Sequence, residues 1–292
     1  MPLIKMLDTS LRDGGHRTNF HFSSDDLRHI LTALDQSGLE YIEIGYRNGS
    51  IHPIDNLGPA GLCQKEYLLF CKSQIKQAQI AVMAHPKNIA ETDLKELKAS
   101  GVDLLRICVI KGSVGEACPL IKKAKQQGLA VSVNFIHASH YTEVECQEVV
   151  DDVSAYHPDM IYFADSNGSL LPSQVERMYT KLTQQYSIPF GFHAHDNLGL
   201  AQMNTLAAIQ AGSTYIDASL AGMGKGIGNL KTEFFTAYLH AMHIKTYDLD
   251  SLLRGANYVR EALGIGAELI DMDEFIRGID DLSTAEMKQR KA

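Results

Sequence analysis

Two polar clusters in this chain have residue types and spacings suited to chemistry. His193 and His195 lie two apart in Gly191-Phe192-His193-Ala194-His195-Asp196-Asn197. On a β-strand, residues two apart project to the same side. Two neutral imidazoles would therefore share one face and present a site for an electrophile, above all a divalent metal ion. Packing and hydrogen bonding would use such a pair equally well. The second cluster is Asp8-Thr9-Ser10-Leu11-Arg12-Asp13-Gly14-Gly15-His16-Arg17. It offers a carboxylate ligand (Asp13), a permanent cation (Arg12) and a titratable base (His16). A capped, glycine-containing turn would also account for these residues.

The background is that of an ordinary globular chain. Of 292 residues, 45% are hydrophobic and 21% charged, with a formal net charge of -8. A nucleic-acid binder would carry a basic patch; here Lys122-Lys123-Lys125 and Lys288-Arg290-Lys291 read as solvated faces and a frayed terminus. The first residues lack the apolar stretch of a signal peptide. No run reaches the roughly 20 apolar residues that span a bilayer. The five cysteines are scattered without a CxxC spacing, which argues against a disulfide framework or a thiolate zinc site. A reducing cytoplasm is the simple inference. Cys71 and Cys108 read as small buried hydrophobes.

The elements that must position the two clusters alternate regularly. Apolar runs at Leu3–Leu7, Glu40–Gly45, Gln79–Ala84, Leu104–Ile110, Ala130–Ile136, Met160–Ala164, Phe190–His195 and Tyr215–Leu220 read as strands. Each is followed by helical spacing: Ser24–Ser37, roughly 60–78, Ala90–Ser100, Val114–Gln127, Glu143–Tyr156, Pro172–Tyr186, Gly199–Ala211 and roughly 231–240. Near-continuous apolar strands are expected when both sheet faces are covered. Eight such units point to a (β/α)8 TIM barrel over residues 1–243. A doubly wound open sheet is the runner-up, but no GxGxxG follows the first strand. Residues 244–292 read as a helical C-terminal extension, with helices at Leu249–Leu263 and Asp273–Ile279 and about ten loose residues at the end.

A TIM barrel builds its site at the C-terminal ends of its strands, and the polar inventory gathers there. The strand ends carry the Asp8–Arg17 cluster, Tyr46-Arg47-Asn48, His85-Pro86, His137 with His140, Asp165-Ser166-Asn167-Gly168, the His193/His195 pair, and Ala221-Gly222-Met223-Gly224-Lys225-Gly226-Ile227-Gly228-Asn229. Tyr46-Arg47-Asn48 would line the mouth. His85 and His137 face the pocket or pack; His21, His52, His140, His157, His240 and His243 read as surface or packing residues.

Three of these stretches carry a family resemblance. Asp8-Thr9-Ser10-Leu11-Arg12-Asp13-Gly14 resembles the D-x-[ST]-L-R-D-G signature of the DRE-TIM metallolyase superfamily. Gly191-Phe192-His193-Ala194-His195-Asp196-Asn197 resembles its HxHxD/N motif, and Gly222 through Asn229 its glycine-rich loop after strand eight. Arg12-Asp13-Gly14-Gly15-His16 and Asp165-Ser166-Asn167-Gly168 are most similar to the 4-hydroxy-2-oxovalerate aldolase branch. The resemblance implies Asp13, His193 and His195 as metal ligands, with Asn229 as a lower-ranked fourth. It implies Mn2+ or Mg2+, with Zn2+ or Co2+ as further options. Arg12 would stabilise the pyruvate enolate, His16 would act as base, and Ser166 would contact the substrate carboxylate; Tyr46, where the chain departs from the family pattern, would contact substrate from the mouth. The substrates implied are a 2-oxo acid and an aldehyde.

The tail is short compared with relatives that channel aldehyde to a dehydrogenase, which puts that partner in doubt; a homodimer is compatible with the chain. The family's pocket tyrosine from that tail has no motif here, and Tyr258 is not assigned the role. Two other readings compete. One is an acyl-CoA lyase or synthase of the same superfamily, of the hydroxymethylglutaryl-CoA lyase or citramalate synthase kind; the lyase cysteine is missing between Gly222 and Asn229. The other is a non-catalytic binding barrel, against which the complete Arg/Asp/His/His set argues.

Overall fold

Eight short apolar runs become eight parallel strands: β1 Lys5–Asp8, β2 Tyr41–Tyr46, β3 Gln79–Ala84, β4 Leu104–Val109, β5 Ala130–Phe135, β6 Met160–Asp165, β7 Phe190–Ala194 and β8 Tyr215–Ala218. They pair in sequence order, and β1 also pairs with β8, which closes the barrel. The expected (β/α)8 TIM barrel is therefore the observed fold. The computed structural model describes residues 3–266 and 280–291; the helix expected over Asp273–Ile279 lies outside these residues. Among the described residues no helix is long and apolar enough to cross a membrane.

The helices form where capping and periodicity favour them. α1 (Ser24–Gln36) starts at a capping box between Ser23 and Asp26 and buries Leu27, Ile30, Leu31 and Leu34 on its inner face. α6 (Glu143–Ser154) uses Thr142 and Glu145 in the same way. The helix expected over 60–78 is divided into α2 (Pro59–Leu62) and α3 (Lys65–Gln74). Cys63 between them has φ 44°, and its carbonyl accepts a hydrogen bond from Arg47 Nη1 at 2.7 Å. The end expected to be loose contains a helix, Thr284–Lys291. Its first turn is closed by Ser283 and Glu286, and its Met287 is buried.

Inside the barrel, side chains stack in layers contributed by alternate strands. The even strands give a lower apolar layer of Tyr41, Leu104, Met160 and Tyr215. Two residues further along the same strands stand Glu43, Arg106, Tyr162 and Asp217. This upper layer is ionic: Arg106 bonds Glu43 and Asp217 and lies over the Tyr162 ring, 4.5 Å from its centroid. Gly191 on β7 makes room for it. A Cβ there would meet the Tyr162 ring at 2.3 Å, closer than packed atoms approach.

The opposite end of the barrel uses acids differently. Residues just before the even strands accept backbone N–H groups from odd neighbours. Glu40 takes Met6 N at 2.9 Å, Asp103 takes Ile80 N at 2.9 Å, and Asp159 takes Val131 N at 2.7 Å. Asp35 on α1 takes three, from Lys76, Gln77 and Ala78. These bonds satisfy backbone donors at the starts of strands and in a loop, where no neighbouring strand supplies an acceptor.

Candidate metal centre

The two clusters read from the sequence meet at the C-terminal end of the barrel. β1 ends at Asp8, and the turn that follows carries Arg12 and Asp13 inward; both are buried. β7 points His193 to the same place, and His195 follows it at an isolated bridge to Asn229. Ligand atoms of Asp13, His193 and His195 all lie within 4.8 Å of one another.

Their partners fix which atoms face that point. His193 Nδ1 sits 3.0 Å from Asp217 Oδ2, an acceptor, so Nδ1 carries the proton and Nε2 presents a lone pair. His195 Nδ1 sits 3.3 Å from the Lys225 carbonyl, which again leaves Nε2 as the lone-pair atom. The two Nε2 atoms are 3.4 Å apart, and Asp13 Oδ2 is 3.8 Å from the second. Two imidazole lone pairs and a carboxylate oxygen thus converge in a buried space. Such a donor set fits a divalent cation, which would relieve the repulsion between them. Asn229 donates from Nδ2 to Asp13 Oδ2 at 2.9 Å, and its buried Oδ1 has no hydrogen-bond partner. Gly224 allows this approach, because a Cβ there would meet Asn229 Nδ2 at 2.5 Å.

Around the centre, charges hold one another. Arg12 Nε donates to Glu43 Oε2 and Nη1 to Asp13 Oδ1, each at 2.8 Å, which sets the plane of the guanidinium. Burial pushes the Asp13 carboxyl upward, but Arg12 together with His195, His193 and His16 outweighs it and holds the group well below its ordinary value. Asp217 is likewise raised by burial and more strongly lowered by Arg106 and His193. His16 is pushed down to about 4 by burial and by the nearby Lys225 ammonium. It is a neutral imidazole at pH 7, and a weaker base than an ordinary histidine.

A cavity of about 300 Å³ opens over these groups, lined among others by Arg12, Asp13, His16, Tyr46, Ser166, His193 and His195. Ser166 Oγ also accepts the backbone N–H of His137 at 3.0 Å. Tyr46 reaches the cavity because β2 shifts register between Glu43 and Tyr46, so two residues three apart both face inward. Arg47 and Asn48, expected at the mouth, are not among its lining residues. Arg47 turns outward to Asp93 at 2.7 Å and to Glu96, and Asn48 bonds the Asn88 carbonyl. His85, His137 and Lys225 do line it, and so does His52, read from sequence as a surface or packing residue. Tyr258 bonds Asp26 and stacks on His29 instead. Ser283, Thr284 and Ala285 of the terminal segment form part of the wall, and Asp281 anchors that segment to Ser139, Asn167 and Ser169.

Sequence reasoning missed Glu43, Arg106 and Asp217. The available signal was a charge inside each of three otherwise apolar strands: Tyr-Ile-Glu-Ile, Leu-Leu-Arg-Ile and Tyr-Ile-Asp-Ala. Full burial of a charge requires a partner.

Comparison with known proteins shows the family of this chain. Residues 3–259 match the family described as HMGL-like. A 4-hydroxy-2-oxovalerate aldolase from Geobacillus genomosp. 3 is 32% identical over 94% of this chain and 82% of its own length. An oxaloacetate decarboxylase from Mycobacterium tuberculosis is 31% identical over 97% of this chain and 85% of its own. Among solved structures, the N-terminal domain of a candidate aldolase from Bacteroides vulgatus superposes with a TM-score of 0.86. The two are 28% identical, with 99% of this chain and 96% of that one covered.

Proposed function

The chain belongs to the HMGL-like family, and from that premise we propose that it is a divalent-metal-dependent aldolase, cleaving or forming a 4-hydroxy-2-oxo acid through the enolate of pyruvate. The observation that carries this reading is the convergence of Asp13, His193 and His195 ligand atoms within 4.8 Å, beside a guanidinium and a neutral imidazole. Asp13, His193 and His195 would hold the metal, with Asn229 Oδ1 as a further donor. A carboxylate, amide and imidazole set suits Mn2+ or Mg2+, with Zn2+ and Co2+ next. When bound, the ion supplies Lewis acidity toward the 2-oxo acid and offsets the negative charge that develops on cleavage.

This chain's own groups account for the rest. His16 accepts the proton of the 4-hydroxyl. As that oxygen becomes a carbonyl, the C3–C4 bond breaks and its electron pair passes to the pyruvate half as an enolate, which is then protonated at C3. Arg12, fixed in plane by Glu43 and Asp13, places a permanent cation beside the enolate oxygen. Ser166 hydrogen-bonds the substrate carboxylate, and Tyr46 shapes the aldehyde side of the cavity. The buried carboxylates Asp13, Glu43 and Asp217 share the two guanidiniums of Arg12 and Arg106, which keeps Arg12 fixed beside the ligand set.

The test is release of pyruvate from 4-hydroxy-2-oxovalerate and longer 4-hydroxy-2-oxo acids by protein loaded with Mn2+, Mg2+ or Co2+. Absence of pyruvate with every substrate and ion overturns the reading. The decarboxylase among the relatives supports a second reaction at the same site, because loss of CO2 from oxaloacetate leaves the same enolate. That reaction removes no hydroxyl proton. His16→Ala is therefore expected to lower aldol cleavage by about 10²–10⁴-fold and to lower oxaloacetate decarboxylation far less. Equal losses in both assays would remove His16 from the role of base.

A further inference from the structure

The ionic layer under the cavity joins the two sides of the metal centre through one residue. Glu43 Oε2 accepts both Arg12 Nε and Arg106 Nη1, each at 2.8 Å. Asp217 Oδ2 accepts both Arg106 Nη2 at 2.7 Å and His193 Nδ1 at 3.0 Å. Each acid thus uses a single oxygen as a shared acceptor; Glu43 Oε1 and Asp217 Oδ1 are buried with no hydrogen-bond partner. Arg106 is itself 1% exposed, lies against the Tyr162 ring and donates to Asn134 Oδ1 at 2.9 Å. Neither acid has a second oxygen engaged elsewhere, so the position of each follows the guanidinium between them.

We propose that Arg106 is a positioning residue that couples the two halves of the site: through Asp217 it sets the tautomer and ring angle of His193, and through Glu43 the plane of the Arg12 guanidinium. One arm acts on the metal ligand set and the other on the group beside the enolate. The Arg12 arm rests on the aldolase reading; the His193 arm rests only on the ligand set. A lysine cannot replace Arg106, because an ammonium is a point charge without the two parallel N–H groups that reach both acids.

The experiment measures two quantities separately: the Mn2+ dissociation constant of metal-stripped protein, by calorimetry and by the electron paramagnetic resonance signal of free Mn2+, and kcat at saturating Mn2+. Partners that orient metal-bound histidines are typically worth 10–100-fold in metal affinity. Arg106→Lys is expected to weaken Mn2+ binding by that amount and to lower kcat as well. Asp217→Asn should act mainly on the Mn2+ constant, and Glu43→Gln mainly on kcat. Adding Asp217→Asn to Arg106→Lys should weaken Mn2+ binding little further, since both cut the same arm. Circular dichroism verifies that each variant is folded. If Arg106→Lys does not fold, the opposite sensitivities of the two acid variants still test the coupling. The proposal is overturned if the folded variants bind Mn2+ as the parent does, or if Asp217→Asn and Glu43→Gln change the two quantities in the same ratio. Weakened Mn2+ binding in a protein that cleaves no 4-hydroxy-2-oxo acid would overturn the aldolase reading and leave the His193 arm standing.

Discussion

The two ends of the barrel both place carboxylates against its strands, and they put them to opposite uses. At the N-terminal end, Glu40, Asp103, Asp159 and Asp35 each accept backbone N–H groups from a neighbouring strand start or loop. Glu40 and Asp159 also pair with Lys245 and Lys125, but the backbone donors they accept are fixed parts of the chain, so these acids serve the fold. At the C-terminal end, Asp13, Glu43 and Asp217 are held chiefly by side chains, among them Arg12, Arg106 and His193. There the lone pairs of His193, His195 and Asp13 remain aimed at a common point. The difference teaches that an acid stabilises this barrel where it ends a backbone's search for a partner, and prepares chemistry where it is buried against another charge.

Substitutions can break this contrast or sharpen it. The largest effect is expected from Asp13→Asn. It should abolish stoichiometric Mn2+ binding and reduce aldol cleavage by about 10⁴-fold, since the Lewis acid accounts for several kcal/mol of barrier. Its cost to the urea stability of the metal-free protein should be smaller than that of Asp35→Ala; the reverse order would erase the distinction between the two ends. Asp35→Ala leaves three backbone donors unpaired and should cost about 3 kcal/mol in urea unfolding. Its kcat/KM, measured on folded protein, should stay within about twofold of the parent.

Asp8 gives the next effect. It stands at the top of β1, bonded to Ser10 N and Thr232 Oγ, with no cation beside it among the described residues. Burial raises its carboxyl to about 6, with those hydrogen bonds lowering it only in part. A raised carboxyl pKa favours the protonated form in the folded state. The stability it contributes is present below the ordinary value near 4 and is lost as pH rises through about 6. The parent should therefore lose about 2 kcal/mol between pH 4 and pH 7 that Asp8→Asn does not lose, read from urea midpoints at both pH values. Equal pH dependence in the two proteins would refute the shift. The smallest effect is that of Asp103→Ala, which frees one backbone N–H and should cost about 1 kcal/mol with cleavage intact.

Much of the site was legible because its signals are local. An apolar run followed by helical spacing marks each β/α unit wherever it stands, and eight of them leave few ways to close a sheet. His193 and His195 declare a shared face through their spacing, and Asp13 stands at a strand end, where a barrel places its chemistry. Arg47 shows the limit of that logic. It also follows a strand, yet its side chain turns to α4 (Glu91–Ala99), where Asp93 and Glu96 offer carboxylates. His52 shows the reverse: nothing near it in sequence signals a cavity, and the loop after β2 carries it to one.

The sequence by itself determined the succession of strands and helices, the end of the barrel at which polar residues gather, and the three ligand candidates, because each depends on periodicity or on neighbours a few residues away. Tertiary structure alone decided that Glu43, Arg106, Tyr162 and Asp217 form one layer. These residues are separated by 63, 56 and 55 positions, and nothing local says that two acids will share one guanidinium. Closure of the sheet brings the even strands to a common height, and the cost of burying a lone charge then selects the pairing.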